Sequence, residues 1–248
     1  MTDERHASDP QSRPSPQLPR DAASLVIVDR GQDQLRFLLG QRRSSQVFVP
    51  NKYVFPGGRV DPSDADIDHD GALASDALHN LMYDMKGAAS PQRAKALALA
   101  ALRETYEEAG ILFASPLSTD TKPGMKTTWP AFEALGLRPN LNGMSFFARA
   151  ITPPGRPRRY DTRFFTIDAS LITSRLPPPD DELRNLKWFT LEDLADLDLL
   201  NITQKILSDL VVWDQCQGNG HQTPQVPYYF FKQGSFHRVL VPRAQSAC

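Results

Sequence analysis

Three glutamates, Glu104, Glu107 and Glu108, lie within five consecutive positions of the sequence. In an α-helix the spacings i, i+3 and i+4 bring such side chains to one face. Three carboxylates this close repel one another, which raises at least one pKa unless a cation lies between them. Hard oxygen ligands in this number suit magnesium or manganese better than zinc. The spacing is compatible with a divalent-metal site and also with an ordinary solvated helix face.

The helix that would carry these glutamates is predicted over residues 91–109. Ser90 is suited to cap its N-terminus, Pro91 fits the first turn, and Gly110 is suited to end it. An apolar stripe at about 100° per residue lies opposite the glutamates. Its members are Leu99, Leu102, Tyr106 and Ala109.

A glycine turn upstream favours the metal site over the solvated face. The short strand predicted at residues 53–55 runs into Pro56-Gly57-Gly58, where glycine lets backbone carbonyls face inward. Turn and helix together resemble the Nudix box, G-x5-E-x7-R-E-U-x-E-E-x-G-U, in which U is an apolar residue. The matching residues are Gly58, Arg103, Glu104, Glu107, Glu108, Gly110 and Ile111.

This sequence departs from the box at three points. Thr105 takes the apolar position that follows Arg103-Glu104, and Asp64 stands where the box has its first glutamate. Between Asp64 and Arg103 lie 38 residues in place of seven, so the box carries an insertion. In the family that this sequence resembles, the first carboxylate of the box pairs with the arginine or supports the metal. The shorter Asp64 would have that role here.

The resemblance also implies a fold and a mechanism. The expected fold is a mixed α/β (α+β) Nudix sandwich, with a mixed sheet between helices. Members of the family use Mg²⁺, with Mn²⁺ as a substitute, to activate a water that attacks a diphosphate. The resemblance makes Glu104 and Glu108 metal ligands, with a carbonyl of Gly57 or Gly58 completing the site.

Three further roles follow from the same resemblance. Glu107 would be another ligand or an outer anchor, and Arg103 would orient the glutamates by charge-assisted hydrogen bonds. The general base stays open between Glu104 and Glu182. Glu182 lies in the loop Asp180-Asp181-Glu182, where the alternative is a solvated loop carboxylate.

Two segments outside the box indicate which branch of the family this sequence resembles. Residues 41–50, and residues 151–153 with 158–165, are similar to the long-insertion branch that includes the peroxisomal coenzyme A diphosphatase. That similarity spans roughly residues 22 to 210 and implies coenzyme A or acyl-coenzyme A as substrate. Guanidinium groups suit phosphate oxygens. The candidate substrate-binding residues are Arg42, Arg158, Arg159 and Arg163.

Two other functions stay open. An ADP-ribose or NADH pyrophosphatase would use the same box on another substrate. A non-catalytic Nudix-fold module that binds a nucleotide for regulation would use the fold without turnover, although such modules usually lose box glutamates. Metal-dependent turnover separates the last alternative from the others.

Composition and patterning define the remaining organisation. Residues 1–20 hold Pro10, Pro14, Pro16 and Pro19 among polar residues, which predicts a disordered tail before one domain over residues 21–248. Strands and helices intermix, which favours a sheet with helices on both faces. The predicted strands are 24–28, 35–39, 144–151, 163–167 and 186–189, the predicted helices 191–197 and 202–213, and a terminal hairpin pairs 228–231 with 238–241.

The insertion, residues 65–90, is expected to tune substrate choice or association without supplying catalytic ligands. Its segment 66–71 reads D-x-D-x-D-G, the opening of a calcium loop, but Ala77 stands at the twelfth position where glutamate is needed. An acidic surface loop is therefore predicted there.

Charge and cysteine content restrict the partners. The net charge of −1 favours neither nucleic acid nor an anionic membrane, and no apolar run has the length of a membrane span. The sequence opens without the apolar stretch of a signal peptide, and two cysteines far apart favour a reducing compartment. We expect a cytoplasmic protein whose partner is a small nucleotide-type substrate. A homodimer stays open.

Overall fold

The computed structural model describes residues 18–31, 33–46, 49–117, 128–218 and 224–243. The first 17 residues of the predicted tail lie outside this part of the chain, and the first strand already begins at Arg20. The strands are β1 (Arg20–Asp29), β2 (Arg36–Arg42), β3 (Tyr53–Val54), β4 (Gly57–Arg59), β5 (Ile111–Leu112), β6 (Ala114–Pro116), β7 (Leu137–Pro139), β8 (Ser145–Ile151), β9 (Tyr160–Asp168), β10 (Ser174–Arg175), β11 (Leu183–Phe189), β12 (Pro227–Lys232) and β13 (Ser235–Leu240). The helices are α1 (Ser75–Met82), α2 (Pro91–Ala109), α3 (Pro130–Ala134), α4 (Leu191–Ala195) and α5 (Asn201–Gly218), with 3-10 turns at Pro62–Asp66 and Ala169–Leu171.

A nine-stranded mixed sheet organises the chain. Its main path runs β11-β2-β1-β9-β8-β12-β13, with β3 attached to β2 and β4 attached to β1. The pairs β1–β9 and β8–β12 are parallel, and the other pairs in this sheet are antiparallel. Two small antiparallel pairs, β5–β10 and β6–β7, lie outside it. The mixed α/β architecture expected from the sequence is confirmed.

Each face of the sheet packs against its own helices. Alternation along β1 directs Leu25 and Ile27 toward a core that includes α1, α2 and α3, and Val26 and Val28 toward a core with α4 and α5. The predicted three-layer arrangement is therefore present. In the described ranges no helix combines the length and the apolarity needed to cross a membrane.

The two ends of α2 follow the sequence prediction. The Ser90 hydroxyl accepts a hydrogen bond from the Arg93 N–H at 3.2 Å, which caps the first turn. Gly110 ends the helix in the left-handed conformation at φ 65°, and a side chain there would collide with the Leu176 carbonyl. Conformation and close packing both require glycine at this position.

The insertion is more than a surface loop. Five of its side chains are buried in the α2-side core: Ile67, Leu73, Ala77, Leu81 and Met85. The expectation of an acidic surface loop over residues 66–71 is therefore only partly right, because Ile67 turns inward. Asp68 and Asp70 both pair with Arg138, so an arginine of this chain offsets part of their negative charge.

The predicted terminal hairpin is also confirmed. β12 and β13 pair over six residues each, and Gln233 and Gly234 form the connecting turn with positive φ at both positions. The hairpin extends the sheet beyond β8 and leaves β13 at the end of the strand order.

Candidate active site

The box glutamates of α2 turn inward, against the glycine turn. Glu108 is 2% exposed, and its Oε2 accepts a hydrogen bond from the Gly57 N–H at 2.8 Å. A side chain at Gly58 would overlap the Glu104 carboxylate. The absence of a Cβ at Gly58 therefore makes room for Glu104, and this face of the helix is not an ordinary solvated one.

Arg103 and Asp64 form the arginine–carboxylate pair of the box. The guanidinium Nε and Nη2 donate to the two carboxylate oxygens of Asp64 at 2.9 and 3.0 Å, which is a bidentate arrangement. Arg103 Nη1 donates to Glu104 at 3.0 Å and to Glu107 at 2.8 Å. The shorter Asp64 thus reaches the arginine in spite of the insertion.

Asp64 can make this contact because its surroundings hold it in place. It is completely buried, and its Oδ2 accepts from the Asp61 N–H at 2.8 Å within the capping box of the 3-10 turn. The indole N–H of Trp129 donates to its Oδ1 at 3.2 Å. No sequence pattern pointed to Trp129, which lies 65 positions from Asp64 along the chain.

Burial determines the electrostatics of the glutamate face. It raises the pKa of Glu104 to about 7, against the lowering effect of Arg103. Burial also raises the pKa of Glu107, and it raises the pKa of Glu108 well above its usual value. Burial would lower the pKa of Arg103, but the hydrogen bond to Asp64 and the charge of Glu104 raise it on balance. One arginine does not neutralise this cluster.

A second group of predicted residues lies beside Glu108. The pKa of Glu108, raised first by burial, is also influenced by the charges of Arg42 and Glu182. Arg42 lies 3.6 Å from Glu182, and it also donates to Gln46 at 3.0 Å. The fold therefore brings Arg42, Glu182 and Glu108 into one neighbourhood, although they come from β2, the loop before β11, and α2.

The loop that carries Glu182 is fixed to the end of α2. The Leu176 N–H donates to the Gly110 carbonyl at 2.8 Å, and the Asp180 N–H donates to the Glu107 carbonyl at 3.2 Å. Burial raises the pKa of Asp180. These two backbone contacts position residues 176–182 over the glutamate face.

The candidate arginines after β8 fall into two environments. Arg158 is exposed, and Arg159 is partly buried with its Nε donating to the Thr152 carbonyl at 3.0 Å. The Arg20 N–H donates to the Arg159 carbonyl at 3.0 Å, which places this connection at the start of β1. Because β4 pairs with residues 22–24 of β1, Arg158 and Arg159 lie at the same end of the sheet as the glycine turn.

Arg163, by contrast, is an interior residue. It is 0% exposed, and its Nη1 pairs at 3.0 Å with both Asp21 and Asp161. Asp161 also accepts from Arg149 at 2.6 Å, and burial lowers the pKa of Arg163. The predicted substrate-binding role does not suit this position, because the guanidinium is enclosed and engaged within the chain. We therefore exclude Arg163 from the candidate site.

An open cavity of about 670 Å³ lies next to the turn. Arg20, Arg59, Val60, Gln92 and Ala96 contribute to its lining. Arg59 follows the box glycine Gly58, and its carbonyl accepts from Arg103 at 2.9 Å. Sequence reasoning missed Arg20 and Arg59, although the position of Arg59 directly after the box glycine was an available signal.

A hard divalent cation fits the chemistry of the glutamate face. Glu104, Glu107 and Glu108 offer carboxylate oxygens on one helix face, and Gly58 leaves space beside Glu104. Among the described residues no three acidic, histidine or cysteine side chains converge as a formed metal cluster. Here Glu104 and Glu107 turn to Arg103, so holding an ion requires their side chains to rotate away from it.

Proteins of other organisms resemble this chain over most of its length. No protein-family model matches the chain. The nudix hydrolase 7 of Caenorhabditis elegans is 24% identical over 225 residues, which covers 82% of this chain. The chain spans 65% of the length of that relative. The crystal structure of a Nudix hydrolase from Alicyclobacillus acidocaldarius is 28% identical, with a TM-score of 0.58, over 78% of this chain and 91% of that one.

The class that fold and site define is a mixed α/β protein with the Nudix sandwich. The chain is similar to the Nudix hydrolases of C. elegans and A. acidocaldarius. A divalent metal is typical of that family.

Proposed function

We propose that this protein is a metal-dependent Nudix hydrolase that cleaves the diphosphate linkage of a nucleoside diphosphate derivative. One observation carries the proposal: Glu108 and Glu104 lie against Gly57 and Gly58, and Arg103 is the one cation that hydrogen-bonds Glu104 and Glu107 among the described residues. Buried carboxylates with raised pKa values require additional positive charge to ionise together. That requirement supports a catalytic metal site, and Mg²⁺, with Mn²⁺ as a substitute, suits its oxygen donors.

Each residue of the face has a distinct part in this proposal. Glu104 and Glu108 would hold the ion, with Glu107 as a further ligand or anchor and the Gly58 carbonyl completing the set. When bound, the ion neutralises phosphate charge and lowers the pKa of a water. Arg103 orients Glu104 and Glu107 through its two hydrogen bonds, and Asp64 fixes the guanidinium from the other side.

Glu182 is the general base in this proposal, with Glu104 as the alternative. Glu104 is engaged by Arg103, whereas Glu182 is half-exposed at the site edge and lies 3.6 Å from Arg42. The carboxylate of Glu182 would take the proton of the attacking water while Arg42 holds the carboxylate in place. The Glu182→Gln variant should lose kcat and keep its affinity for Mn²⁺. The Glu104→Gln variant should lose both kcat and affinity for Mn²⁺. If the Glu182→Gln variant keeps a normal kcat, Glu104 is the general base.

Coenzyme A or an acyl-coenzyme A is the proposed substrate. Arg158 and Arg159 lie at the sheet end that carries the glycine turn, and Arg20 and Arg59 border the cavity beside that turn. Guanidinium groups on this side of the scissile bond suit an additional phosphomonoester, such as the 3′-phosphate of coenzyme A. Arg42 would contact the opposite end of the substrate diphosphate. The two cysteines, of which Cys216 forms no disulfide, support a cytoplasmic setting.

The activity is tested with a panel of diphosphate metabolites, each incubated with protein and Mg²⁺ and analysed by mass spectrometry. We expect cleavage at the diphosphate that stops when EDTA is added and returns with excess Mg²⁺. No turnover of any member, together with tight binding of an intact nucleotide, would support the non-catalytic regulator in place of the enzyme.

The substrate is tested by comparing coenzyme A with dephospho-coenzyme A. The wild-type protein should prefer coenzyme A, and Arg158→Ala or Arg159→Ala should narrow that preference tenfold to a hundredfold, on the order of 1.5–3 kcal/mol. Lys232→Ala, an exposed cation at the end of β12, is the matched control and should change neither rate. Equal turnover of both substrates overturns the 3′-phosphate argument. If ADP-ribose or NADH is cleaved faster than coenzyme A, that metabolite is the substrate. The proposed metal site would be the same.

A further inference from the structure

The large sheet ends in two strands with different properties. β11 and β13 occupy the two ends of the strand order. An edge strand presents unpaired N–H and C=O groups that can pair with another chain, and soluble proteins usually protect such edges. The two edges of this sheet can therefore be compared for the features that block pairing.

β11 carries three of these protective features. Its register with β2 shifts between Arg184 and Lys187, which is a bulge or irregularity in the ladder. Asn185, inside the shift, has a positive φ of 51°. Arg184 and Lys187 are charged and exposed. A second strand could not add regularly to this edge.

β13 lacks the register shift and the irregular backbone, and its one exposed arginine, Arg238, is paired with Asp209. All six of its residues pair with β12 without a register shift, and the strand contains neither lysine nor proline. Phe236 and Leu240 are each 45% exposed and Val239 is 38% exposed. Within the described residues nothing pairs with its outer edge. A regular strand with three exposed apolar side chains is a surface on which another strand can add.

The hairpin turn determines which groups face outward. A two-residue turn closes on a hydrogen-bonded pair, here Lys232 and Ser235, and such pairs then alternate along the ladder. The backbone groups of Phe236, Arg238 and Leu240 therefore point away from β12. These three residues are spaced symmetrically about Arg238, so the edge is complementary to itself in antiparallel orientation.

We propose that β13 pairs antiparallel with β13 of a second copy of this chain, about a two-fold axis at Arg238. This register matches every outward backbone group with one on the partner, and it places Phe236 opposite Leu240 of the second copy. A two-fold axis makes both contacts identical, as in most homodimers. Residues 1–17 of the same chain suit the edge less well, because Pro10, Pro14 and Pro16 lack the N–H that a strand needs.

The axis brings two arginines together, and the structure provides their counter-charge. Like charges directly opposite each other in a sheet are destabilising. Arg238 Nη2 pairs with Asp209 Oδ1 at 2.8 Å, and its Nε donates to the Tyr229 hydroxyl at 3.1 Å. The Tyr229 hydroxyl in turn donates to Asp209 at 2.6 Å. Each Arg238 thus approaches the axis already paired with a carboxylate of its own chain.

Sedimentation equilibrium of the full chain tests this pairing. The wild type should be a dimer, and Phe236→Lys should raise the dimer dissociation constant at least tenfold. The double variant F236K/L240E should restore the dimer, because each lysine then lies opposite a glutamate. Leu191→Lys, at an equally exposed leucine on α4, is the matched control and should remain dimeric. All variants should keep the metal-dependent turnover of the wild type.

Three outcomes would overturn the proposal. In the first, the wild type is a monomer both at high concentration and after 100-fold dilution. In the second, Phe236→Lys leaves the dimer dissociation constant unchanged. In the third, Leu191→Lys raises that constant as much as Phe236→Lys does. If Phe236→Lys does not fold, the register is tested by H237C/V239C in a background without the natural cysteines. Residues 237 and 239 of the two copies then face each other, and mild oxidation should give a covalent dimer. Absence of that dimer counts against the register and the proposal.

Discussion

Two clusters of charged residues lie on the α2 side of the sheet, and they are neutralised differently. The box cluster holds Arg103 with four carboxylates: Asp64, Glu104, Glu107 and Glu108. The interior cluster holds three arginines with two aspartates: Arg93, Arg149, Arg163, Asp21 and Asp161. Burial raises the pKa of the glutamates in the first and lowers the pKa of Arg163 in the second.

Every charged residue of the interior cluster has an ion-pair partner in the chain, although Nε and Nη2 of Arg163 have no hydrogen-bond partner in the part that the structure describes. Arg149 donates to both oxygens of Asp161 and to the carbonyls of Tyr83 and Asp84, which joins the insertion to β8 and β9. The box cluster has too little positive charge for its four carboxylates, and an ion from solution can supply the rest. The comparison shows that buried charge alone does not identify a functional site. The distinguishing feature is the excess of carboxylates in the box cluster, because the interior cluster has more arginines than aspartates.

The largest expected effect is on the interior cluster. Asp161→Asn replaces one carboxylate oxygen with a donor that faces arginine donors, which leaves buried charge unpaired. We expect a loss of about 3–5 kcal/mol in the free energy of unfolding, measured by urea denaturation. Asp168→Asn on the same strand, where a partly exposed pair with Arg30 is lost, should cost about 1 kcal/mol or less. Similar costs for both variants would show that the interior cluster contributes no more than a surface pair.

The box cluster should show the opposite behaviour. Glu104→Gln and Glu108→Gln each remove a charged ligand at nearly constant volume, and kcat should fall a hundredfold or more, about 2.7 kcal/mol. The metal-free proteins should be no less stable than the wild type, because each change relieves repulsion. Near-normal turnover of both variants at saturating Mg²⁺ would refute the site assignment. A large loss of metal-free stability would instead make the glutamates structural.

Added Mg²⁺ should stabilise the folded protein through the box cluster, where carboxylates are in excess, and not through the interior cluster. At an Mg²⁺ concentration 100-fold above the dissociation constant, the gain is about 2.7 kcal/mol, or roughly 5 °C or more in Tm. Differential scanning fluorimetry measures this shift. Glu104→Gln should reduce it, whereas Asp168→Asn should keep it in full. A shift that survives in Glu104→Gln and Glu108→Gln alike would locate the ion elsewhere.

The smallest effect concerns the glycine turn. A Cβ in Gly58→Ala would meet the mobile end of Glu104, so the glutamate can move away with little loss of stability while kcat falls about tenfold, near 1.4 kcal/mol. Gly57→Ala is the contrasting change, since its Cβ would meet the backbone of Ala23 at a φ of 154°. It should lower the free energy of unfolding more than Gly58→Ala. Full activity in Gly58→Ala would mean that Glu104 does not need the position seen here.

Local features of the fold followed from the sequence because each is encoded within a few neighbouring residues. Ser90 and Gly110 delimited α2 through a cap and a left-handed residue, and the short runs 228–231 and 238–241 indicated the terminal hairpin. The periodicity that placed three glutamates on one face was likewise local. It did not reveal that this face is buried, because burial depends on β4, which comes from another part of the chain.

The least predictable features depended on residues far apart in the sequence. Arg163 was expected to contact substrate, since an arginine in a basic segment has the same local signature whether it faces solvent or the core. Residues 66–71 of the insertion were expected to form a surface loop, but Ile67 packs into the core. Each outcome was decided by which distant strand or helix lies opposite the residue.

The sequence by itself determined the box, namely its glutamates, its glycines, its arginine and the helix that carries them. These features depend only on residue order and on hydrogen bonding within one helix and one turn. Only the tertiary structure decided that Asp64 and Trp129 fix Arg103, that Arg42 and Glu182 lie beside Glu108, and that Arg163 belongs to the interior. Those contacts join segments separated by 39 to 142 positions. Their existence depends on how strands pair and helices pack, which no local pattern of residues specifies.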